Sequence, residues 1–385
     1  MFVRIGNTPR DYAWGSTTAI AGLLGTEPSG GPEAELWLGA HPGSPARVLD
    51  PALAGGAQDL AAWERTSDLP YLLKVLAAAG PLSLQAHPSP EQARAGFERE
   101  NAAGLAPDSP ERNYKDPFHK PELIFALSDP FEALCGFRDP EESRQAFERL
   151  AAATPGGAVL AGFARTLVGE PGAVLRRATE WLLGEDPEVD LLVAEVVRAA
   201  RALPDDRDAD TVRMLDEAFP GDPGIVLALL LNRATLRPGQ VLYLPAGNIH
   251  AYLRGLGIEL MAASDNVLRG GLTRKRIDVP ELVSVLDFTP IEATPLAPEH
   301  PAAGVETFRT DVPDFALEHI VVDDGGPTTV RLPGTAIALV TDGEVELSGA
   351  NDTVTLARGE SAVVVDETEL TASGHGTVFV AHPNS

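Results

Sequence analysis

The stretch Leu82 to Pro90 reads LSLQAHPSP and sets Gln85 and His87 two residues apart. Side chains alternate along a strand, so Ser83, Gln85 and His87 share one face while Leu82, Leu84 and Ala86 share the other. The second face is core-like. The first carries an amide oxygen and an imidazole, either as metal ligands or merely as a polar outer face. Pro88 stops the ladder, which suits a strand end at the rim of a sheet. Three more segments hold most of the remaining reactive side chains: NYKDPFHKPELIFAL at 113–127, YLPAGNIHAYL at 243–253 and GIELMAASDNVLRGGLTRK at 257–275. Lys120 and Glu122 fall on one strand face ahead of the apolar LIFAL. The Gly-Asn turn delivers Ile249 to Tyr252 as a new strand with His250 and Tyr252 facing one way. Gln85, His87, Glu122 and His250 together offer two imidazoles, a carboxylate and an amide oxygen. That donor set suits a divalent ion of the zinc, manganese, iron or cobalt kind better than magnesium or calcium. Each residue alone has an ordinary explanation: a hydrogen-bonded strand histidine, a turn carboxylate at Glu122, a half-buried strand aromatic at Tyr252, surface charges at Arg269 and Lys275. Their joint occurrence favours a site. His41, His300, His319, His375 and His382 are read as structural.

These residues need a frame to bring them together. From Asp139 to Asn232 the pattern is helical, as in EESRQAFERLAAA and EVDLLVAEVVRAARAL, and three Asp-Pro pairs at 139, 186 and 222 each set a capping residue before a first-turn proline. Short β segments with Gly and Pro turns flank it, so the helical module is inserted into a β domain. LRPGQVLYLPA (236–246) resembles LARGESAVVVD (356–366), with Gly239 matching Gly359, which suggests two related barrel-like or jelly-roll units. Only the first copy runs on into a histidine, so the metal belongs there. The chain is expected to be mainly β with an α insertion: a catalytic domain at 1–138 and 233–290, a helical domain at 139–232 and a C-terminal β domain at 291–385.

Composition narrows the partners. A formal net charge of -26 over 385 residues argues against nucleic acid and anionic membranes. The sole cysteine, Cys135, allows no disulfide within the chain and no cysteine-based zinc site. The N-terminus lacks a signal pattern, and the longest apolar run, Ile225 to Leu231, is too short for a bilayer; a cytoplasmic monomer is expected. Of the 30 basic residues only Lys74, Lys115, Lys120 and Lys275 are lysines, and all four fall in the site-forming segments. In a chain this rich in arginine they read as positions that need a compact ammonium.

The segments YAWGS, AELWLGAHP, LLKVL, PLSLQAHP, NYKDPFHKPEL, PAGNIHAYL and GIELMAASDNVLRGGLTRK, in that order, resemble class I mannose-6-phosphate isomerase, the zinc-dependent phosphomannose isomerase family. The resemblance covers 1–137 and 237–290 closely and the rest by order and size. It implies a cupin-type catalytic domain, a helical insertion and a C-terminal cupin-like domain, with one Zn2+ per chain bound by Gln85, His87, Glu122 and His250. It implies a catalytic role for Arg269, and for His119, Lys120 and Asp265 in ring opening and proton transfer. Trp14, Tyr252 and Glu259 join the substrate-binding set. Phe118 departs from the family's common Asn, which puts the wall near His119 in question, and Arg274 from its Pro.

The implied reaction interconverts mannose 6-phosphate and fructose 6-phosphate through a cis-enediol, feeding mannose catabolism or GDP-mannose supply. It needs a proton moved between neighbouring carbons, a task for Lys120 or His119, and a cation facing the enediolate, a task for Arg269. Ser83, Lys74 and Lys275 are the expected phosphate contacts. Two other classes compete: a non-catalytic cupin-type sugar-phosphate binding or regulatory protein, and a cupin metal oxygenase. The acid-base residues beside the ligands count against the first, Gln85 and the basic cluster against the second.

Overall fold

The computed structural model describes residues 1–153, 157–323, 326–350 and 352–384. All strand pairs are antiparallel and fall into two sheets. The first centres on the long strand His250–Ala262. Its start, His250 to Arg254, pairs with Leu84–Ala86 and Phe131–Phe137, while Gly255 to Ala262 pairs with Tyr71–Ala78 and Glu122–Ala126. The strand changes partners at a bulge between Tyr252 and Arg254 followed by Gly255 at φ +134°. A Cβ there would lie 2.6 Å from the Phe131 ring, so only glycine fits the bend. One strand thereby serves both walls of the unit. Leu268–Gly271 extends the sheet beyond Leu84–Ala86.

The second sheet runs through Val305–Arg309, Ala316–Val322, Glu369–His382, Ala336–Ser348 and Ser361–Val364. Phe2–Gly6, grouped by sequence with the catalytic segment, instead pairs with Ser361–Val364 and carries Arg47–Val48 on its other edge. The reason is burial: Phe2, Val3 and Ile5 are all inaccessible, and together they fill both faces of that sheet. Leu73, Leu123 and Ile258 of the first sheet and Phe308, Leu339 and Phe379 of the second belong to one core. Phe125 packs its ring 5.7 Å from Phe308 and 4.9 Å from Phe379, and the Tyr71 hydroxyl donates to the Thr335 and Ala381 carbonyls. Each such buried aromatic or leucine contributes roughly 1.5–3 kcal/mol, enough to hold the sheets against each other.

The repeat seen in the sequence is a repeated turn. Gly239 and Gly359 adopt φ +88° and +85° ahead of Val241–Leu244 and Ser361–Val364. In one copy Gln240 closes the turn by accepting from the Arg237 amide, and in the other Glu360 accepts from the Ala357 amide.

The helices leave the first sheet from a hairpin: Phe131–Phe137 pairs with Leu231–Leu236, and Phe137 faces Leu231 across the gap that the insertion fills. Asp139 and Asp186 cap Pro140–Ala152 and Pro187–Arg201 through the Glu141 and Glu188 amides. The third Asp-Pro pair differs. Pro223 itself occupies the cap position of Gly224–Leu227, and the Asp222 carboxylate reaches a distant loop as well as its own helix. The helices pack Leu150, Phe163, Leu175 and Leu192 into a core continuous with Ile249 and Leu268 of the sheet. Among the described residues no helix is long and apolar enough to cross a membrane.

Candidate active site

Strand register builds the site. Gln85 is the partner of His250 on one side and of Arg269 on the other, and His250 is also the partner of Cys135. Cross-strand partners project from the same face, so Arg269, Gln85 and His250 stand in one row. His87 follows just past the strand end at Ala86, before Ser89 caps Pro90–Ala102 with a reciprocal Ser89–Gln92 box. Glu122 opens the fully buried strand Glu122–Ala126.

His87, Glu122 and His250 converge, with one potential ligand atom from each lying within 4.8 Å of the others. The His87 Nδ1 bonds the Asn266 carbonyl at 2.6 Å and the His250 Nδ1 bonds the Asn248 carbonyl at 3.0 Å. Those bonds assign the protons to Nδ1 and leave both Nε2 lone pairs free. The lone pairs face Glu122, with His87 Nε2 at 3.3 Å from Oε1 and His250 Nε2 at 3.4 Å from Oε2. His87 Nε2, His250 Nε2 and Glu122 Oε2 are buried without a hydrogen-bond partner. Burial and the Lys120 ammonium push the His87 imidazole down to about 4, so it is neutral at pH 7. Burial alone would raise the Glu122 carboxyl, but Lys120 and the imidazoles hold it well below the usual carboxylate range. Buried acceptors aimed at one another with no proton between them are costly. A divalent cation with nitrogen and oxygen ligands satisfies all three, and these residues fit zinc. Gln85, half-buried in the same row as His250, offers the fourth donor.

Two ammonium groups surround this cluster. Lys120 Nζ lies 2.8 Å from Glu122 Oε1. Lys74 Nζ lies 2.9 Å from Glu259, 3.9 Å from Glu35 and 5.0 Å from the centre of the Trp37 ring, whose indole N–H donates to Glu35. Burial disfavours the Lys74 ammonium, but Glu259, Glu35 and Glu122 override it and raise its affinity for the proton. The carboxylates of Glu35, Glu122 and Glu259 are thus interleaved with these two ammonium groups around the cluster. Burial also drives the Tyr252 hydroxyl far above its ordinary range, so it stays protonated.

Beside the cluster opens a cleft of about 770 Å3 lined by Trp14, Ser83, Gln85, Arg269 and Lys275. Of the three expected phosphate contacts, Ser83 and Lys275 line this cleft. Lys74 does not; it is 5% exposed and committed to its carboxylates. Tyr252 and Glu259 are likewise buried, at 1% and 3% exposure. His119 and Asp265 point to other partners. His119 Nε2 meets Asp314 of the C-terminal unit at 2.9 Å, and Asp265 meets His41 Nε2 at 3.2 Å. Asp265, His41, Asp314 and Phe118 line a second depression of about 590 Å3. His41, read from the sequence as structural, is thus tied to a candidate catalytic carboxylate. His319 and His382 pair with Glu306 and Glu318 in the second sheet.

The sequence reading missed Asn266. Fully buried, it accepts from the Lys115 and Asp116 amides and donates to the Asp116 and Phe118 carbonyls, while its own carbonyl holds His87. Its place in the motif SDN beside Asp265 was the available signal.

Residues 2–140 match the family described as phosphomannose isomerase type I, catalytic domain. Over 387 residues the chain is 39% identical to the mannose-6-phosphate isomerase of Escherichia coli (strain K12), covering 96% of each protein. It is 31% identical over 410 residues to the Homo sapiens mannose-6-phosphate isomerase, covering 90% of this chain and 93% of the human one. A zinc-bound crystal structure of mannose 6-phosphate isomerase aligns over 100% of both chains with a TM-score of 0.86 and 36% identity, and a phosphomannose isomerase mutant from Salmonella typhimurium does so with a TM-score of 0.87 and 35% identity. The mainly β, cupin-type architecture with its helical insertion fits these structures. Likeness of this extent, over a site of this composition, means that the chain belongs to the mannose-6-phosphate isomerase family.

Proposed function

We propose that the protein interconverts mannose 6-phosphate and fructose 6-phosphate, holding one Zn2+ per chain through Gln85, His87, Glu122 and His250. The observation that carries this reading is the convergence of three unpartnered, buried acceptor atoms beside a cleft that also presents Arg269 and Lys275. When bound, the ion supplies Lewis-acid polarisation of the substrate carbonyl. Isomerisation then moves the proton from C2 to C1 through the enediol, while the hydroxyl proton passes between the two oxygens. We assign the proton transfer to Lys120, which as the neutral amine would take the C2 proton and as the resulting ammonium return it to C1; its Nζ lies 2.8 Å from Glu122 and is nearly excluded from solvent. Arg269, half-buried on the cleft wall, faces the developing negative charge. The family resemblance assigns His119 and Asp265 to ring opening; His119 pairs with Asp314 and Asp265 with His41 at the second depression, so this role is carried by the resemblance and not by the cleft lining. Ser83 and Lys275 meet the phosphate and Trp14 packs on the sugar. Lys74 acts from beneath by fixing Glu259, which with Tyr252 shapes the floor.

The domain division at 138, 232 and 290 is proposed with the amendment that Phe2–Gly6 and Arg47–Val48 complete the C-terminal sheet. A cytoplasmic location fits the buried, unpaired Cys135, and a monomer is proposed with it.

The test is a coupled assay that reads fructose 6-phosphate made from mannose 6-phosphate by zinc-loaded protein. Turnover supports the isomerase. Tight binding of mannose 6-phosphate with no product would make the chain a sugar-phosphate binding protein instead.

A further inference from the structure

Among the described residues, the helical insertion meets the cleft where Arg207–Ala218 ends. Ala218 and Phe219 line the same cleft as Ser83, Arg269 and Lys275. Three residues on, the Asp222 carboxylate leaves the insertion. Its Oδ1 accepts from the Gly224 amide at 2.7 Å and from the Leu272 amide at 2.9 Å, and its Oδ2 accepts from the Thr273 amide at 3.1 Å. The first bond is local; the other two cross to the loop that joins Arg269 to Lys275.

That loop has an unusual backbone. Gly271 has φ +129° and Leu272 φ +54°, one of two non-glycine residues with positive φ among the described residues. Gly224 and Gly271 are packed back to back: a Cβ on Gly271 would lie 2.8 Å from the Gly224 Cα, and a Cβ on Gly224 would lie 2.7 Å from the Leu272 amide. A left-handed leucine is disfavoured on its own and persists where its surroundings fix it. Here the fixing groups are the buried Leu272 side chain and the Asp222 carboxylate on its amide. Beyond Leu272, Thr273 and Lys275 line the cleft while Arg274 between them does not, and the Lys275 amide donates to the Thr273 hydroxyl at 3.1 Å.

We propose that Asp222 is a positioning residue for substrate binding: a carboxylate supplied by the helical insertion sets the 271–275 loop so that Thr273 and Lys275 meet the phosphate of the substrate. This rests on the sugar-phosphate reading of the cleft given above. It assigns the insertion a part in substrate affinity, through a residue that touches neither the substrate nor the reacting carbons. Because the phosphate is bound alike in ground and transition states, the loss falls on KM rather than kcat.

The experiment compares wild type, Asp222→Asn and Asp222→Ala by steady-state kinetics on mannose 6-phosphate, by calorimetric titration with inorganic phosphate and by zinc analysis. Asn keeps one acceptor but turns an N–H donor toward an amide that also donates, and it preserves side-chain volume if the alanine variant fails to fold. The expected result is a KM raised about tenfold, a phosphate dissociation constant raised by a similar factor, kcat within about threefold and unchanged zinc. An Asp222→Asn protein whose KM and phosphate affinity stay within about twofold of wild type, whatever its melting temperature, overturns the proposal. Wild-type protein that binds phosphate without isomerising the sugar would overturn the isomerase reading alone. The phosphate titration of the variants then still decides the role of Asp222.

Discussion

Replacing Asn266 with alanine removes one amide that ties the 115–118 segment to the His87 ring. Its side chain accepts from the Lys115 amide at 2.7 Å and donates to the Asp116 and Phe118 carbonyls at 2.8 Å each, with a longer contact to the Asp116 amide at 3.3 Å. Asn266 is fully buried, so its partners do not regain water without rearrangement. Leaving a buried partner unpaired costs about 1–3 kcal/mol, and counting only the three shorter bonds at the low end gives a loss of ~3 kcal/mol. That is roughly a 150-fold change in the unfolding constant. The backbone carbonyl of the same residue holds His87 Nδ1, and disturbing such an outer partner lowers metal affinity about 10–100-fold. Urea unfolding followed by tryptophan fluorescence reads the first effect, and competition with a chromophoric chelator for zinc reads the second. Asn266→Asp keeps the acceptor bonds but loses both donor bonds and buries a charge, so it should be at least as damaging. A loss below ~1 kcal/mol with zinc affinity unchanged would refute the reasoning.

Lys120→Met should retain zinc and lose about 10²–10⁴-fold in kcat, and near-normal turnover would remove Lys120 from proton transfer. Gln85→Glu should also retain the metal, but a second carboxylate weakens the positive field at the reacting oxygens; kcat should fall about tenfold or more, and unchanged kinetics would contradict the role given to a neutral ligand. Burial pushes the Cys135 thiol up to about 12. A higher thiol pKa means less thiolate at any lower pH, a fraction of about 10⁻⁴ at pH 8, so a maleimide should label the native protein only after unfolding. Rapid labelling of the native chain would show that strand Phe131–Phe137 is not closed as described.

Features set by neighbours in sequence are readable from the sequence itself. Asp139 and Asp186 announce helix starts because a cap bonds amides two residues on, and Gly239 and Gly359 announce turns because their backbone conformation suits glycine. His87, Glu122 and His250 were grouped from short motifs, and the fold brings them together by register. What spacing does not encode is which face meets which. Phe2–Gly6 finds its partner at Ser361–Val364 because both bury apolar side chains in one sheet, a fact about packing at opposite ends of the chain. The scarcity of lysines points to Lys74 as a phosphate contact, yet the strand places it among Glu35, Trp37 and Glu259, where an ammonium is neutralised. Asp222 looked like a helix cap; its longer reach to Leu272 depends on Gly224 and Gly271 allowing two backbones to touch.

The central claim is that a single zinc ion, held at His87, Glu122 and His250 with Gln85, is required for isomerisation of mannose 6-phosphate. Metal analysis of the purified protein, paired with the coupled assay before chelation, after chelation and after zinc is returned, tests it most directly. The account predicts one zinc per chain, turnover lost with the metal and turnover restored with zinc. Turnover that survives complete removal of the metal would contradict it.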